Sequence, residues 1–268
     1  MGCDGLWWRA NLTAIAPLGS TDLDPAAYGE HIADVYDEWY SAPDRQPEVA
    51  VAVDFLRTRV GAGPALELGV GTGRLALPFA ARGTAVVGID ASPRMVARLR
   101  GKPGGSEIEV VVGDFAEVDA PGGPFGLVYV VFNTFFALAD QDAQVRCFAN
   151  VAAALRPGGV FVMEAFVPDV VRYDRGQRVQ ADRLDGETTH LNVSLHDPVS
   201  QRVRSHHIVL GSGGVGTYPV DIRYAWPSEL DLMGRLAGLE LAERWAGWNG
   251  EPFTATSTSH ISVWRRPQ

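Results

Sequence analysis

The sequence predicts an α/β protein: a doubly wound sheet of seven strands with an antiparallel β insertion after the fifth strand. Three observations predict it. From about residue 46, short apolar runs alternate with helical periodicities, the order that builds βαβ units with right-handed crossovers. A glycine-rich loop, Gly69-Val-Gly-Thr-Gly73, joins the first apolar run to the helix that follows. After Pro168 the pattern switches to period two, the mark of an antiparallel meander.

The elements follow in order. Residues 1–25 are poorly patterned and rich in Gly, Pro and Asp, with Trp7 and Trp8 as anchors. From Tyr28 to Tyr40, Ile32, Val35, Tyr36 and Trp39 recur at helical spacing. A second helix covers Glu48 to Arg59 and precedes the first strand, Ala65 to Leu68. The second strand, Ala85 to Ile89, ends at Asp90, and the third, Glu107 to Val112, runs into Gly113-Asp114-Phe115. The fourth, Phe125 to Phe132, is apolar throughout, as a strand covered on both faces should be. A helix from Gln141 to Leu155 is stopped by Arg156-Pro-Gly-Gly159, and Val160 to Phe166 is the fifth strand.

In the insertion, Leu191, Val193 and Leu195 alternate with Asn192, Ser194 and His196, and Asp197-Pro198 marks a turn. Val203, Ser205, His207 and Val209 share one face of the next segment, and Gly211-Ser-Gly-Gly214 is a loop. Tyr218, Val220, Ile222, Tyr224 and Trp226 alternate. Pro227-Ser-Glu229 then opens a helix through Leu236, and Leu239 to Trp245 and His260 to Trp264 supply the last two strands. The expected organisation is an N-terminal segment with a lid helix (1–45), an α/β core (46–168), the insertion (169–226) and a return to the core (227–268).

The 268 residues, 46% hydrophobic, supply a sizeable core. The net charge of −9, with a single lysine (Lys102), argues against a nucleic-acid partner. Cys3 and Cys147 make no disulfide framework and fit a reducing cytoplasm. The six histidines form no ligand set with them, so no metal is expected. No run approaches the ~18 apolar residues of a membrane span.

Asp90 lies about 20 residues past the first glycine, the spacing at which an acid meets a ribose. The loop therefore predicts a nucleoside cofactor at the carboxyl edge of the sheet. A dinucleotide loop would carry glycine or alanine where Arg74 stands. The Gly-Lys-Ser/Thr of a phosphate cradle is absent. Glu67, just before the loop, would repel a pyrophosphate and suits a cofactor with an ammonium group. S-adenosylmethionine (SAM) carries an ammonium, a sulfonium and a ribose diol, and no phosphate.

Glu67-Leu-Gly-Val-Gly-Thr-Gly73, Gly88-Ile-Asp90-Ala-Ser92, Gly113-Asp114-Phe115 and Leu155-Arg-Pro-Gly-Gly159 resemble, in this order, motifs of the class I SAM-dependent methyltransferases, whose core is Rossmann-like. The insertion resembles that of bacterial natural-product methyltransferases, both the aminosugar N-methyltransferases and the linaridin peptide N-terminal methyltransferases. Val35-Tyr36-Asp37 is similar to the first group. Asn133-Thr-Phe-Phe136 and Gly250-Glu-Pro-Phe-Thr-Ala255 are similar to the second. Where the aminosugar enzymes carry a histidine after the fourth strand, this chain has Ala137, which argues against an aminosugar substrate.

The resemblance implies that SAM is held by Glu67 at its amino group, by Gly69, Gly71 and Gly73, by Asp90 with Ala91 at the ribose, and by Asp114 and Phe115 at the adenine. Phe132 and Tyr40 complete this set. It also implies a dimer through the inserted sheet. Tyr36, Trp39 and Tyr40 are candidates for a lid over the sulfonium, since aromatic faces attract cations; helix packing on the sheet is the alternative. Asn133 is a candidate to hold an acceptor amine, or else a turn residue. Glu164 would neutralise a cationic acceptor or take a proton, or else cap a strand end. His207 is a candidate base or a satisfied core histidine. Phe135, Phe136, Phe166, Tyr224 and Trp226 are candidates for the acceptor wall, or simple core.

The expected activity is methyl transfer to a small molecule or peptide, foremost at nitrogen. O- or C-methylation is the alternative within catalysis. A SAM-fold protein that transfers no methyl, a cyclase or an assembly partner, is the alternative outside it.

Overall fold

The computed structural model describes residues 24–40, 46–117, 119–184 and 186–268. The expectations for Cys3, Trp7 and Trp8 lie outside them. Helices α1 (Ala27–Ile32), α2 (Tyr36–Tyr40) and α3 (Gln46–Arg57) precede the sheet. The single helix expected over Tyr28 to Tyr40 is thus two short ones, broken by a turn at 33–35.

The core follows as β1 (Ala65–Leu68), α4 (Ala76–Ala80), β2 (Val86–Asp90), α5 (Pro93–Arg100), β3 (Glu109–Val112), β4 (Phe125–Val130), α6 (Gln141–Ala154) and β5 (Leu155–Phe166). The insertion holds β6 (Gln177–Leu184), β7 (Thr188–Asp197), β8 (Arg202–Gly211) and β9 (Gly214–Arg223). The chain returns through α7 (Pro227–Leu236), β10 (Glu240–Trp245) and β11 (Ser259–Arg265). The seven-stranded sheet has the order β10-β11-β5-β4-β1-β2-β3, and the insertion is a separate antiparallel sheet in the order β6-β7-β8-β9. The pairs from β3 to β5 are parallel, whereas β11 runs antiparallel to β5 and to β10.

Burial explains this sheet. β1 and β4 are buried along their whole length, and two apolar layers cover its faces. One holds Phe148, Phe161 and Trp264, the other Phe79, Tyr129 and Leu127. Pro78 falls in the first turn of α4, where its missing N–H breaks no helical bond. β5 begins at Leu155 rather than Val160, with an irregularity in its pairing to β4 between Phe125 and Leu127. β6 was not anticipated, because its polar, mostly exposed residues carry no period. β9 stops at Arg223, so Tyr224 and Trp226 lie beyond the strand expected to hold them.

The insertion is joined to the core by a polar knot. Buried Arg223 donates to Gln144 of α6, to Gln201 and to Glu229 of α7, the last at 2.7 Å. Gln144 donates in return to the Arg223 carbonyl at 2.8 Å.

Candidate active site

The carboxyl ends of β1, β2, β3 and β4 converge on the glycine loop. Gly69, Gly71 and Gly73 have φ of +72°, +53° and +80°, a region where side chains with a Cβ are strained. A Cβ at Gly69 would also clash with the Thr134 methyl, so the loop packs directly on the turn after β4. Asp90 rims the loop. One carboxylate oxygen accepts from Gly71 N at 2.7 Å and the other from Ser92 N at 2.9 Å. Burial raises its pKa, although both amides pull the other way. Each oxygen keeps a second lone pair for a ligand hydroxyl. Ala91 begins the turn into α5, and Ser92 caps that helix by accepting from Met95 N. Gly113 N bonds the Asp90 carbonyl, which brings Asp114 and Phe115 beside the same edge; Asp114 accepts from Ala116 N at 2.8 Å.

Glu67 is buried beneath the loop. It accepts from the Tyr129 hydroxyl at 2.9 Å and from the Ala76 amide. Burial pushes its pKa up to about 8, against those bonds. Glu67 therefore holds the start of α4 as well as lying below the cofactor loop.

The N-terminal helices close over this edge. Asp37 of α2 accepts from the Thr72 hydroxyl at 2.6 Å and from Lys102 Nζ at 2.8 Å; Lys102 also donates to the Thr72 carbonyl. Glu30 of α1 accepts from the Ser92 hydroxyl at 2.6 Å, and Asp34 pairs with Arg94 and Arg98. Tyr36 hydrogen-bonds Arg74, and burial pushes its phenol up to about 12. Its ring lies 4.9 Å from that of Tyr40, which bonds Tyr28.

At the end of β4, Phe132 and Asn133 both adopt left-handed backbone, with φ of +55° and +63°. Two such residues in succession are strained, a state that persists only where the surroundings impose it. Here Glu164 accepts from Phe132 N at 2.9 Å, and Asn133 Oδ1 accepts from Phe166 N at 2.7 Å. The Arg74 guanidinium lies 3.7 Å over the Phe132 ring.

Beyond this turn lies a cavity of about 470 Å³, between the end of β5, the inner face of the insertion and residues 255–258. Phe166, Tyr173 and Tyr224 supply its aromatic wall; Asn192, Ser194 and Ser205 supply polar groups. His196 bonds the Tyr224 hydroxyl at 2.9 Å and stacks on Tyr173. A cavity of about 580 Å³ lies at the opposite edge, where β2 starts. Open α/β sheets bind ligands at the carboxyl ends of their strands, which favours the former.

A family described as a methyltransferase domain matches residues 65–159. The CcbJ methyltransferase from Streptomyces caelestis superposes with a TM-score of 0.85 at 40% identity, covering 92% of this chain and all of that one. Cypemycin N-terminal methyltransferase from a Streptomyces species is 28% identical over 91% of this chain and 99% of its own length. The SAM-bound amino pentose methyltransferase CalS10 from Micromonospora echinaspora, 26% identical with a TM-score of 0.64, covers 87% of this chain and 96% of that one.

The chain belongs to the SAM-dependent methyltransferases.

The residues of this methyltransferase fit that cofactor: a glycine loop open to ligand approach, a ribose-spaced acid at its rim and, beside it, Arg74, two of whose nitrogens have no hydrogen-bond partner among the described residues. When bound, SAM supplies an electrophilic methyl on a sulfonium leaving group. Among the described residues, no cluster of three or more metal-ligating side chains occurs and no helix is long and apolar enough to cross a membrane.

Several sequence expectations need correction at the acceptor side of the methyltransferase. Phe135 is fully buried against Phe148, a core residue rather than an acceptor contact. Phe136 is also fully buried and reaches the cavity only by supporting Phe166, with ring centroids 4.9 Å apart. Trp226 precedes α7, is 39% exposed and meets the edge of Tyr224 outside the cavity. Asn133 and Glu164 each have two readings, an acceptor contact or a backbone-bonded turn or strand-end residue; each spends an oxygen on fixing the strained turn, as the second reading has it. Burial raises the Glu164 pKa, against the Phe132 amide. His207 shares a face with Val203 and Ser205, opposite Asn192, half-buried and with its pKa lowered by burial. Trp39 packs between His190 and Tyr218 of the insertion, so it ties the lid to that sheet. Arg74, Asp37, Lys102 and Tyr173 were not singled out as site residues; the sequence held a signal for Arg74, its intrusion into a glycine motif, and for Asp37, its place in Val35-Tyr36-Asp37.

Proposed function

We propose that the enzyme methylates an amine nitrogen on a small molecule or peptide in bacterial natural-product metabolism. The observation that carries this reading is the cavity beside the Phe132–Asn133 turn, walled by aromatic rings and by the polar face of the insertion. Its volume of about 470 Å³ suits a compact acceptor. An amine brings its own lone pair, so the protein needs mainly to supply proximity and orientation. Tyr36, Trp39 and Tyr40 close the cofactor side and exclude water; Phe166 and Tyr224 seat the acceptor. Glu67 and Asp90 hold the two polar ends of the cofactor, with Asp114 and Phe115 at its adenine. The names of the cypemycin and amino pentose relatives support nitrogen as the acceptor atom.

Incubation with methyl-deuterated SAM and a bacterial extract, read by untargeted mass spectrometry, tests this. A product carrying the labelled methyl on nitrogen is expected. A label on oxygen or carbon, with turnover abolished in His207→Ala, would establish the alternative chemistry. No labelled product despite SAM binding would favour a role without transfer.

We infer further that the enzyme is a cytoplasmic homodimer built through the outer face of the insertion. The alternation of β7 is inverted relative to a sheet lying on a core. Ser194 and His196 are buried inward, whereas Leu191, Val193 and Leu195 are half-exposed on the outer face. Val179 and Val215, each 70% exposed, extend this apolar surface. Such a patch marks an interaction site.

A further inference from the structure

Arg74 is a buried cation with unmet hydrogen-bonding capacity. Its side chain is 8% exposed. It follows the last glycine of the cofactor loop, and Tyr36 accepts a hydrogen bond from it. The nearest carboxylate oxygen, on half-exposed Glu48, lies 3.9 Å from Nη2, beyond hydrogen-bond reach. Nε and Nη2 are buried and have no hydrogen-bond partner among the described residues. Phe132 offers only its ring face, which attracts the charge and accepts neither of these protons in its plane.

A guanidinium stays charged in proteins, and burying a charged group without partners is costly. Nε–H and one Nη–H of an arginine point in parallel, a fork that matches the two oxygens of a carboxylate. The site's acids do not meet that demand. Glu67 is bonded to Tyr129 and Ala76, and Glu164 to Phe132. SAM has one anionic group, the α-carboxylate of its methionine moiety, on the carbon that carries its ammonium. Arg74 therefore offers that carboxylate a positive fork, while Glu67 lies beneath the same loop as a hydrogen-bond acceptor.

We propose that Arg74 is the receptor for the α-carboxylate of SAM, engaging it through the buried Nε and Nη2 edge. The inference rests on the cofactor reading of the glycine loop. Arg74 also carries Phe132 and Tyr36, so carboxylate binding draws the lid and the strained turn onto one side chain. Arg74 is a cofactor-positioning residue and takes no part in proton transfer.

Calorimetric titration of the full-length enzyme with S-adenosylhomocysteine and with its decarboxylated analogue, which keeps the amine, provides the test. The wild type is expected to prefer S-adenosylhomocysteine by about 10- to 100-fold, the worth of one charge-assisted bidentate contact. In Arg74→Met the two ligands should bind within about threefold of each other, because only S-adenosylhomocysteine loses the carboxylate contact. Arg74→Lys, which keeps the charge and loses the fork, should fall between, and serves if the methionine variant does not fold. A variant that keeps the full preference overturns the proposal. So does one that loses both ligands equally while remaining folded, which would mark Arg74 as purely structural. A wild type that binds neither ligand overturns the cofactor reading itself, a failure visible before any variant is made.

Discussion

At the scale of single residues, Glu67 couples folding to pH. Its pKa rises from 4.5 to about 8 on burial, so the charged form is disfavoured in the folded state. The stability it contributes is therefore full below about 4.5 and is lost as pH rises through about 8. Glu67→Gln keeps an acceptor for Tyr129 and removes the buried charge. Thermal unfolding of the ligand-free variant should show a melting temperature that gains on the wild type from pH 5 to pH 9, with about 2–4 °C for each kcal/mol. A gain that shrinks over that range would refute it. Residue identities at the cofactor edge were legible because glycine geometry and acid spacing are local properties. The acceptor side was less so. Phe135 and Phe166 look alike in sequence, yet Phe135, just after the turn at Phe132, is buried in the core, whereas Phe166, at the end of β5, lines the cavity.

At the scale of elements, α2 depends on contacts with the rest of the chain. α2 has only five residues and buries none of them fully, so it has little stability of its own. Its anchor is Asp37, shared by Thr72 and the chain's one lysine. Lys102→Met should weaken SAM binding about three- to tenfold and speed amide exchange over residues 27–40, measured by hydrogen–deuterium exchange. Unchanged exchange there would show that the pair does not hold the helix. The strands of the core were legible because apolar runs bounded by turn residues leave few other readings. The break between α1 and α2 was not, since helical spacing continues across it. The latch was not either, because Asp37 and Lys102 are 65 positions apart.

At the scale of the whole molecule, the two sheets depend on Arg223. Arg223→Met removes the buried cation from Gln144 and Glu229, but Glu229 keeps Gln141 and Gln201 as donors, so the loss should be about 1–3 kcal/mol. Thermal unfolding should report it as a loss of stability, or as separate transitions for the insertion and the core. For the assembly, sedimentation should give twice the chain mass of 28.9 kDa, and Leu191→Glu, a charge on the outer face of β7, should give the monomer. A wild-type monomer would refute the dimer. The inverted face of β7 was not assigned from sequence, because alternation gives two faces without saying which one turns inward.

That inversion has an evolutionary consequence. The insertion lines the cavity with a polar trio, Asn192, Ser194 and Ser205, set among Val203, Ile222 and the rings of Tyr173 and Tyr224. Ser194 and Ser205 are buried and bonded to each other, and Ser194 donates to Asn192, so exchanges within the trio draw on the reserve of stability that limits most mutational paths. Acceptor choice then drifts most readily in lineages that have first gained stability elsewhere, and recruitment to new metabolites waits on that gain.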